Sequence, residues 1–326
     1  MRRLAFLILR WTGVPFLLRE FVQRNRVTIL CYHDPEPKIA DLHIRKLQHL
    51  YNIIPLSAYV NARRSRTVAA LPKKALVITF DDGHKGNYGL LPVLKKHQVP
   101  VTIFLCSGII GTQRHYWWKA CVDHNMVHSL KLVPDEARLA QLADCGFNEV
   151  NEYPERQSLS RAEINDLRAA VDFQAHSRLH PILPQCTDKR AWDEIAGCKL
   201  DLERDYGLRV FALAYPNGDY SERELEFAKR AGYACALTID GGYNTSQTDL
   251  FRLKRVRLND KADVNELIVK ASGLWGIVES IRARSAYGYA HMRRVILVRR
   301  RISRTNAPKM QHRITLAQKG RDNDGG

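Results

Sequence analysis

Two adjacent carboxylates that directly follow an apolar run are the clearest sign of chemistry in this sequence. The stretch "ALVITFDDGHKG" begins with six mostly apolar residues, Ala75–Phe80, and continues with Asp81, Asp82 and a glycine. A short apolar run without polar alternation is typical of a buried strand. Two like charges at the end of such a strand repel each other and are costly to desolvate. A metal ion is one group that could compensate them.

Other polar residues follow other apolar runs. His33 ends the run "VTILCYH", His176 and His180 lie four residues apart in "AHSRLHP", and "AYPNGDY" follows a further run. If the turn between the two histidines is helical, this spacing brings both imidazoles to one face. One carboxylate and two imidazoles are a common ligand set for a divalent metal that keeps a position open for water. Such a metal polarises a carbonyl and generates a nucleophilic water.

Each of these features has a simpler structural interpretation when taken alone. A double aspartate after a strand usually forms a turn and a helix N-cap. A histidine pair at this spacing is more often surface or core histidine, and "AYPNGDY" is rich in turn formers. The prediction of a site therefore depends on all of them occurring at strand ends in one chain.

The elements that must position these residues alternate between strand-like and helical patterns. Apolar runs such as "VTILCYH", "VPVTIFLCSG" and "YACALTI" are separated by helical segments, one starting with a capping box at Ser160 and Glu163 and another ending at Gly207. Six to seven βα units predict a mainly parallel α/β sheet. They are nearly enough for a barrel, with an open doubly wound sheet as the alternative, and both gather chemistry at the carboxyl ends of the strands. Residues 112–157, which contain "YWWK", show little alternation and are predicted to be an insertion.

These motifs resemble the polysaccharide deacetylase family, also described as the NodB-homology domain or carbohydrate esterase family 4. "TFDDG" is followed about ninety residues later by "HSRLH" and then by "FALAYPNG", and the resemblance extends from roughly residue 27 to residue 259. "ILCYHDPEP", "YWWK" and "RLKRVRL" resemble a bacterial branch linked to exopolysaccharide and cell-envelope glycan synthesis. The resemblance implies a distorted, incomplete (β/α) barrel of about seven strands.

The resemblance also implies an activity. We expect a metal-dependent hydrolase that removes N-acetyl groups from an amino sugar of a bacterial polysaccharide or lipid-linked glycan and releases acetate. One divalent metal is expected, Zn²⁺ before Co²⁺, Mn²⁺ or Ni²⁺. Two alternatives remain open: a metal-dependent amidase acting on a non-sugar amide, and a catalytically degenerate barrel that binds glycan.

Four residues take family roles directly from the matching motifs. Asp81 matches the general base that takes a proton from the attacking water, while Asp82, His176 and His180 match the metal ligands. The backbone N–H of Tyr215, in the third motif, is expected to hold the oxyanion together with the metal.

The sequence departs from the family pattern at two positions. Many members have an arginine three residues before the third-motif tyrosine, where this chain has Ala212, and Arg255, or second to it Arg257, is expected to supply that charge beside the base. Many members also have a late Leu-His pair whose histidine is the general acid, and nothing after Tyr243 supplies it. His33 is the predicted acid, because some permuted members carry the acid on the first strand.

The net charge of +17 is concentrated at the two ends of the 326-residue chain. Residues 1–26 contain six Lys/Arg and one Glu, and residues 281–321 contain twelve Lys/Arg and no acid. We therefore divide the chain into a basic amphipathic segment (1–26), a deacetylase barrel (27–275) and a basic, partly disordered tail (276–326). Such ends are either solvated extensions or contacts to an anionic surface. Interspersed apolar residues favour a membrane over nucleic acid, and no nucleic-acid partner is expected.

The sequence also bears on the location of the protein. The first apolar run, "LAFLIL", is short and followed by Arg10, so it predicts neither a membrane span nor a signal peptide. The seven cysteines form no CxxC pair and predict buried free thiols in a reducing compartment. The expected location is the cytoplasm or the cytoplasmic face of the inner membrane.

Overall fold

The apolar runs form the strands of one parallel sheet in a computed structural model, which describes residues 2–121 and 123–279. The strands are β1 (Thr28–Tyr32), β2 (Asn52–Ile53), β3 (Ala75–Phe80), β4 (Val101–Leu105), β5 (Val171–Ala175), β6 (Ala212–Ala214), β7 (Cys235–Leu237) and β8 (Val256–Arg257). Their order is β7-β6-β5-β4-β3-β1-β8, and the short β2 pairs with β3. Because the connections between parallel neighbours are crossovers, all the strands named here end at the same edge of the sheet.

Helices fill most of the crossovers. The helices of the described chain are α1 (Arg2–Trp11), α2 (Val14–Leu17), α3 (Pro37–Leu50), α4 (Leu56–Arg64), α5 (Leu91–His97), α6 (His124–Leu130), α7 (Asp135–Asp144), α8 (Arg161–Leu167), α9 (Asp188–Tyr206), α10 (Glu222–Arg230) and α11 (Val264–Ala271). Of these, α1 and α2 precede β1, α3 to α10 lie between strands, and α11 follows β8. Two of them, α6 and α7, lie in the 112–157 region, which therefore has more regular structure than its sequence pattern indicated. Residues 280–326, most of the predicted basic tail, lie outside the described residues.

Local capping signals in the sequence set several helix ends. The predicted capping box of α8 is present, with the Ser160 side chain accepting the Glu163 N–H and the Glu163 carboxylate accepting the Ser160 N–H. A second box, formed by Ser221 and Glu224, begins α10. Gly207 ends α9 in the left-handed conformation (φ 59°), which costs glycine little.

Alternate residues of the central strands build two apolar layers, one on each face of the sheet. On β3, Leu76 and Ile78 belong to the larger cluster, which includes residues of the surrounding helices, while Val77 belongs to the smaller one. Ala212 and Ala214 of β6 contribute small side chains to this second cluster. Because both faces are covered, the strands read as continuous apolar runs in the sequence.

A segment without a regular strand, residues 250–255, lies between β7 and β8 and contacts β7 through an isolated parallel bridge between Leu237 and Leu253. Leu253 donates its N–H to Ala236 O in β7, and Leu258, just after β8, donates its N–H to Cys31 O in β1. The predicted distorted (β/α) barrel is confirmed, and this segment is its most irregular part.

The N-terminal segment packs on the last described helices. Phe6 on α1 is buried and its ring lies 4.6 Å from that of Trp275, while Arg10 Nη1 donates to Asn265 Oδ1 on α11. A π-helical turn, Leu18–Val22, follows α2 and leads to β1. Among the residues that the structure describes, no helix is long and apolar enough to cross a membrane.

The cysteines agree with the expectation of free thiols. All seven are unpaired, and five of them are buried: Cys31, Cys106, Cys186, Cys198 and Cys235.

We predict that the insertion has a core of its own that is essential for stability. Leu142 is fully buried among Trp117, Leu130, Phe147 and Ile182. Leu142→Ala should lower the free energy of unfolding by about 2–5 kcal/mol, because it leaves a cavity. The matched control is Leu132→Ala in the same region, where the leucine is 66% exposed, and its cost should be under about 0.5 kcal/mol. Equal costs in urea unfolding would contradict this assignment.

Candidate active site

The carboxyl ends of the strands bring most of the predicted residues to one cavity. It has a volume of about 330 Å³, and its lining includes His33 after β1, Asp81 and Asp82 after β3, and His176 and His180 after β5. Residues more than 140 positions apart in the sequence thus meet because parallel strands end at one edge.

The backbone after β3 turns sharply and gives the two aspartates different surroundings. Asp81 still donates its N–H to Tyr32 O in β1, as a strand residue does. Asp82 and Gly83 both have positive φ, 74° and 72°. A Cβ added to Gly83 would lie 2.6 Å from Leu105 Cδ2, so both its φ and its close packing favour glycine here. The turn separates two carboxylates that would otherwise share one environment.

Asp82 and the two histidines form a compact set of ligand atoms. Asp82 Oδ1 lies 3.3 Å from His176 Nε2 and 3.4 Å from His180 Nε2. Ligand atoms of all three residues lie within 4.8 Å of one another, and all three residues are buried. In the part of the chain that the structure describes, Asp82 Oδ1 has no hydrogen-bond partner. An orphaned buried carboxylate oxygen facing two imidazoles fits a bound cation.

The contacts of the histidines agree with metal ligation. His176 Nδ1 lies 2.7 Å from Ala214 O, an acceptor, so Nδ1 donates there and Nε2 faces Asp82. Burial would lower the pKa of His176, but the charge of Asp81 and the hydrogen bond with Asp82 outweigh it and raise that pKa. Burial lowers the pKa of His180 to about 3, which keeps that imidazole neutral. The ring of Trp118 packs edge-on against His180 at a centroid distance of 4.4 Å. These residues therefore fit a divalent metal.

The sequence analysis expected both imidazoles on one face if the turn between the two histidines is helical. In the structure this segment is not helical. Ser177 and His180 have positive φ, 64° and 56°, so a left-handed loop brings the imidazoles together. Glu194 on α9 holds this loop, because its Oε2 accepts the N–H groups of Arg178 and Leu179, both at 2.8 Å. Burial raises the pKa of Glu194 to about 7.

Arg255 lies beside Asp81, where the sequence analysis placed an arginine. Its Nη1 donates to Asp81 Oδ1 at 2.7 Å and its Nη2 to Oδ2 at 2.8 Å, a bidentate pair in which both side chains are buried. Burial would raise the pKa of Asp81, but the charges of Arg255 and His176 outweigh it and lower the pKa to about 2. Arg257, the second choice, lines the cavity instead.

His33 faces the same cavity from the end of β1. One of its ring nitrogens lies within 4.8 Å of an Asp81 carboxylate oxygen, and its backbone N–H donates to Asp260 Oδ1 at 3.0 Å. Its side chain is half-buried, so a substrate can reach it. The role of general acid stays a prediction.

The predicted role of Tyr215 is wrong in this structure. Its backbone N–H donates to Leu237 O at 3.0 Å, as part of the pairing of β6 with β7, and is not free to hold an oxyanion. Its side chain is buried and its hydroxyl donates to Phe251 O. The third motif reaches the cavity two residues later, through Asn217 and Gly218.

His84 is a site residue that the sequence analysis missed. Its Nε2 lies 3.0 Å from Asp82 Oδ2, the oxygen that faces away from the other two histidines. Its ring packs edge-on against Tyr116, whose hydroxyl donates to Asp82 O. Burial would lower the pKa of His84, but its hydrogen bond to Asp82 outweighs this and raises it. The signal was present in "DDGHKG": a histidine that directly follows a tight turn lies beside the carboxylates.

A family comparison agrees with this arrangement. Residues 69–236, about half of the chain, match the model of the family described as polysaccharide deacetylase. The chain therefore belongs to the polysaccharide deacetylase family.

Curated relatives share part of the chain. The protein YxkH of Bacillus subtilis (strain 168) is 24% identical over 188 residues, which are 57% of this chain and 52% of that protein. A poly-beta-1,6-N-acetyl-D-glucosamine N-deacetylase of Staphylococcus epidermidis (strain RP62A) is 24% identical over 200 residues, 61% of this chain and 59% of the relative. The chain thus spans somewhat over half the length of these relatives.

Solved structures share the fold. The Streptococcus pyogenes deacetylase PplD, in complex with acetate, has a TM-score of 0.57 at 20% identity. The match covers 76% of this chain and 98% of the PplD chain. IcaB from Ammonifex degensii has a TM-score of 0.54 at 17% identity and covers 76% and 97%. At these identities the likeness shows the barrel fold.

We predict that His84 orients Asp82 as a metal ligand. His84→Phe keeps a ring against Tyr116 but removes the donor to Asp82 Oδ2, so the affinity for Zn²⁺ should fall about 10–100-fold. His84→Gln, which can still donate, should lose less. Competition with a chromophoric chelator gives both affinities, and thermal melts of the apo-proteins control for stability. Wild-type affinity in His84→Phe would show that this contact does not orient the ligand.

Proposed function

We propose that this protein is a metal-dependent N-deacetylase that acts on an amino sugar of a bacterial polysaccharide or lipid-linked glycan and releases acetate. The observation that carries the proposal is that the two adjacent carboxylates have different partners. Asp82 Oδ1 faces two imidazoles without a hydrogen-bond partner among the described residues, while Asp81 is held in its ionised form by Arg255. A metal ligand beside an ionised carboxylate that can accept a proton is the arrangement that metal-dependent hydrolysis of an amide uses.

We propose zinc as the metal, which Asp82, His176 and His180 would hold. When bound, a divalent ion there activates water and polarises a carbonyl. Asp81 accepts the proton of the water that attacks the acetamide carbon. Its low pKa keeps it ionised across the physiological range, and the bidentate contact with Arg255 keeps it oriented.

His33 completes the reaction as the general acid. The C–N bond of the acetamide breaks, and the departing nitrogen takes a proton from the His33 ring, so that a free amine and acetate result. Asp81 and His33 flank one cavity and lie close enough to act on the two sides of one amide group. Proton removal and proton donation are thereby assigned to different residues.

The cavity supports a sugar-sized substrate. Its volume of about 330 Å³ lies at the lower end of the usual range for ligand pockets. The indole ring of Trp118 forms part of one wall, and Lys131, whose Nζ donates to Asn217 Oδ1 at 2.6 Å, forms another. An aromatic face and polar groups suit a pyranose ring. The S. epidermidis relative, named for a poly-N-acetylglucosamine substrate, supports the same class.

We expect acetate release from an N-acetylglucosamine oligomer by the zinc-loaded protein. Asp82→Asn should lose the bound metal, measured by elemental analysis, and with it the activity. Asp81→Asn should keep the metal and lose activity by about 10²–10⁴-fold, because it removes only the base.

The alternatives give different results in the same assays. Stoichiometric zinc without acetate release from the oligomer would favour an amidase that acts on a non-sugar amide. Absence of metal from the wild-type protein would favour a glycan-binding barrel without catalysis.

The ion pair of Asp81 and Arg255 should set the acid side of the pH profile. Arg255→Gln leaves a buried carboxylate without its cation, so burial raises the pKa of Asp81 and the acid limb of kcat/KM should move up by about one to three pH units. Arg255→Lys keeps the charge and should shift the limb less. Circular dichroism across the same pH range checks that both variants are folded. Superimposable profiles for wild type and Arg255→Gln would exclude Asp81 as the base.

A further inference from the structure

The N-terminal helix turns apolar side chains to solvent. On α1 they recur with helical spacing at positions 4, 7, 8 and 11, and beyond Gly13, where the helix breaks, further exposed apolar residues lie at 17 and 21. The exposed stripe consists of Leu4, Leu7, Ile8, Trp11, Leu17 and Phe21, which are 41–74% exposed. The opposite side of α1 packs on the barrel through Phe6 and Arg10. The helix is therefore anchored with its apolar side outward, the reverse of a usual surface helix.

A cavity lined by arginines begins at the residues that follow this stripe in the sequence. It has a volume of about 720 Å³, and Arg24, Arg26, Arg63 and Arg66 line it together with Thr245 and other neutral residues. Among the described residues, its lining contains no Asp or Glu. An exposed carboxylate is also lacking nearby in the sequence, because Glu20, the one acid of residues 1–26, is paired with Arg19 and Lys74.

Two of these arginines are available to a ligand. Arg63 donates to Thr245 O and Thr248 O, and the Arg26 guanidinium lies over the Tyr243 ring at 5.7 Å. Arg24 and Arg66 are exposed. Guanidinium groups bind phosphate oxygens in bidentate geometry, so this cavity suits a phosphate group better than a neutral ligand.

The chain holds the stripe and the cavity together. Gln23, between Phe21 and Arg24, is buried, and its Nε2 donates to Thr28 Oγ1 and Ala271 O. Arg24 O accepts the N–H of Lys74, the residue before β3. The cavity thus lies at the amino-terminal edge of the strands, whereas the candidate active site lies at their carboxyl edge.

We propose that the exposed stripe and the arginine-lined cavity form a docking face for a membrane containing anionic phospholipid. Leucine, tryptophan and phenylalanine enter the boundary between headgroups and acyl chains, and the adjacent arginines take the phosphates. A helix of this kind lies in the interface plane without crossing it. This face acts independently of the proposed deacetylation.

The charge of the chain favours a membrane, and not a second copy of the chain, as the partner of this docking face. The chain carries a net charge of +17, and residues 281–321 add twelve Lys/Arg without an acid. Two such chains repel each other, whereas an anionic surface attracts both the cavity and this segment.

The test is sedimentation of the full chain with vesicles. Wild type should bind phosphatidylcholine vesicles that contain about 30% phosphatidylglycerol and bind pure phosphatidylcholine at least tenfold more weakly. Arg24→Gln with Arg66→Gln should weaken binding to the anionic vesicles about 25-fold, at about fivefold per charge. Arg45→Gln with Arg230→Gln, which removes two exposed arginines elsewhere, should cost clearly less.

The apolar stripe has its own matched pair of variants. Leu4→Ser with Leu17→Ser should weaken vesicle binding at least tenfold, because two leucines no longer enter the interface. Leu132→Ser with Leu200→Ser, at exposed positions elsewhere, should leave binding unchanged. Acetate release from a soluble oligomer should be the same in all four double variants, the two arginine pairs and the two leucine pairs. This result separates the docking proposal from the deacetylase proposal.

Three results would overturn the docking face. One is absence of binding of the wild type to the anionic vesicles, and another is equal binding by the docking-face variants and their controls. The third is a wild-type dimer in sedimentation without vesicles that Leu4→Ser with Leu17→Ser dissociates, since the stripe would then bind a second copy.

Discussion

Two carboxylates on consecutive residues at a buried strand end are the constraint on which this site depends. Neither the Asp81 nor the Asp82 carboxylate can be buried in its ionised form without a compensating charge, and the two repel each other at short range. The structure gives each its own compensation. Asp81 has a bidentate arginine, and Asp82 faces three histidines, of which His84 takes one oxygen while His176 and His180 face the other. The same separation is what the proposed roles require, with one carboxylate as a metal ligand and its neighbour as a base.

The barrel makes this separation possible through its least regular part. Arg255 belongs to the segment that lies between β7 and β8, and its Nε donates to Thr238 O just after β7. From this position the Arg255 guanidinium reaches the Asp81 carboxylate at the end of β3. The third motif has Ala212 where many members carry an arginine, and Ala212 is buried in β6. The charge is therefore supplied from another place in the chain.

Backbone strain is concentrated where the ligands are positioned. Asp82, Ser177, His180 and Asn217 all have positive φ, a conformation that is costly for residues with a Cβ. Such conformations persist only where the surroundings hold them. Around the histidine loop this support comes from Glu194, which accepts two backbone N–H groups, and from Trp117, whose indole N–H donates to His180 O. The insertion that provides Trp117 thus contributes directly to the geometry of the site.

The sequence by itself determined the parallel α/β class, the strand bounds around Asp81, two helix caps and the residues of the candidate metal site, because these follow from local apolar patterns and from motifs of fixed spacing. It also indicated Arg255, because the family pattern required a cation that the third motif lacks. Only the tertiary structure decided that a left-handed loop joins the two histidines, that His84 contacts Asp82 and that the Tyr215 N–H is used in the sheet. These outcomes depend on backbone torsions and on contacts between distant residues, and no local pattern of residue types encodes either.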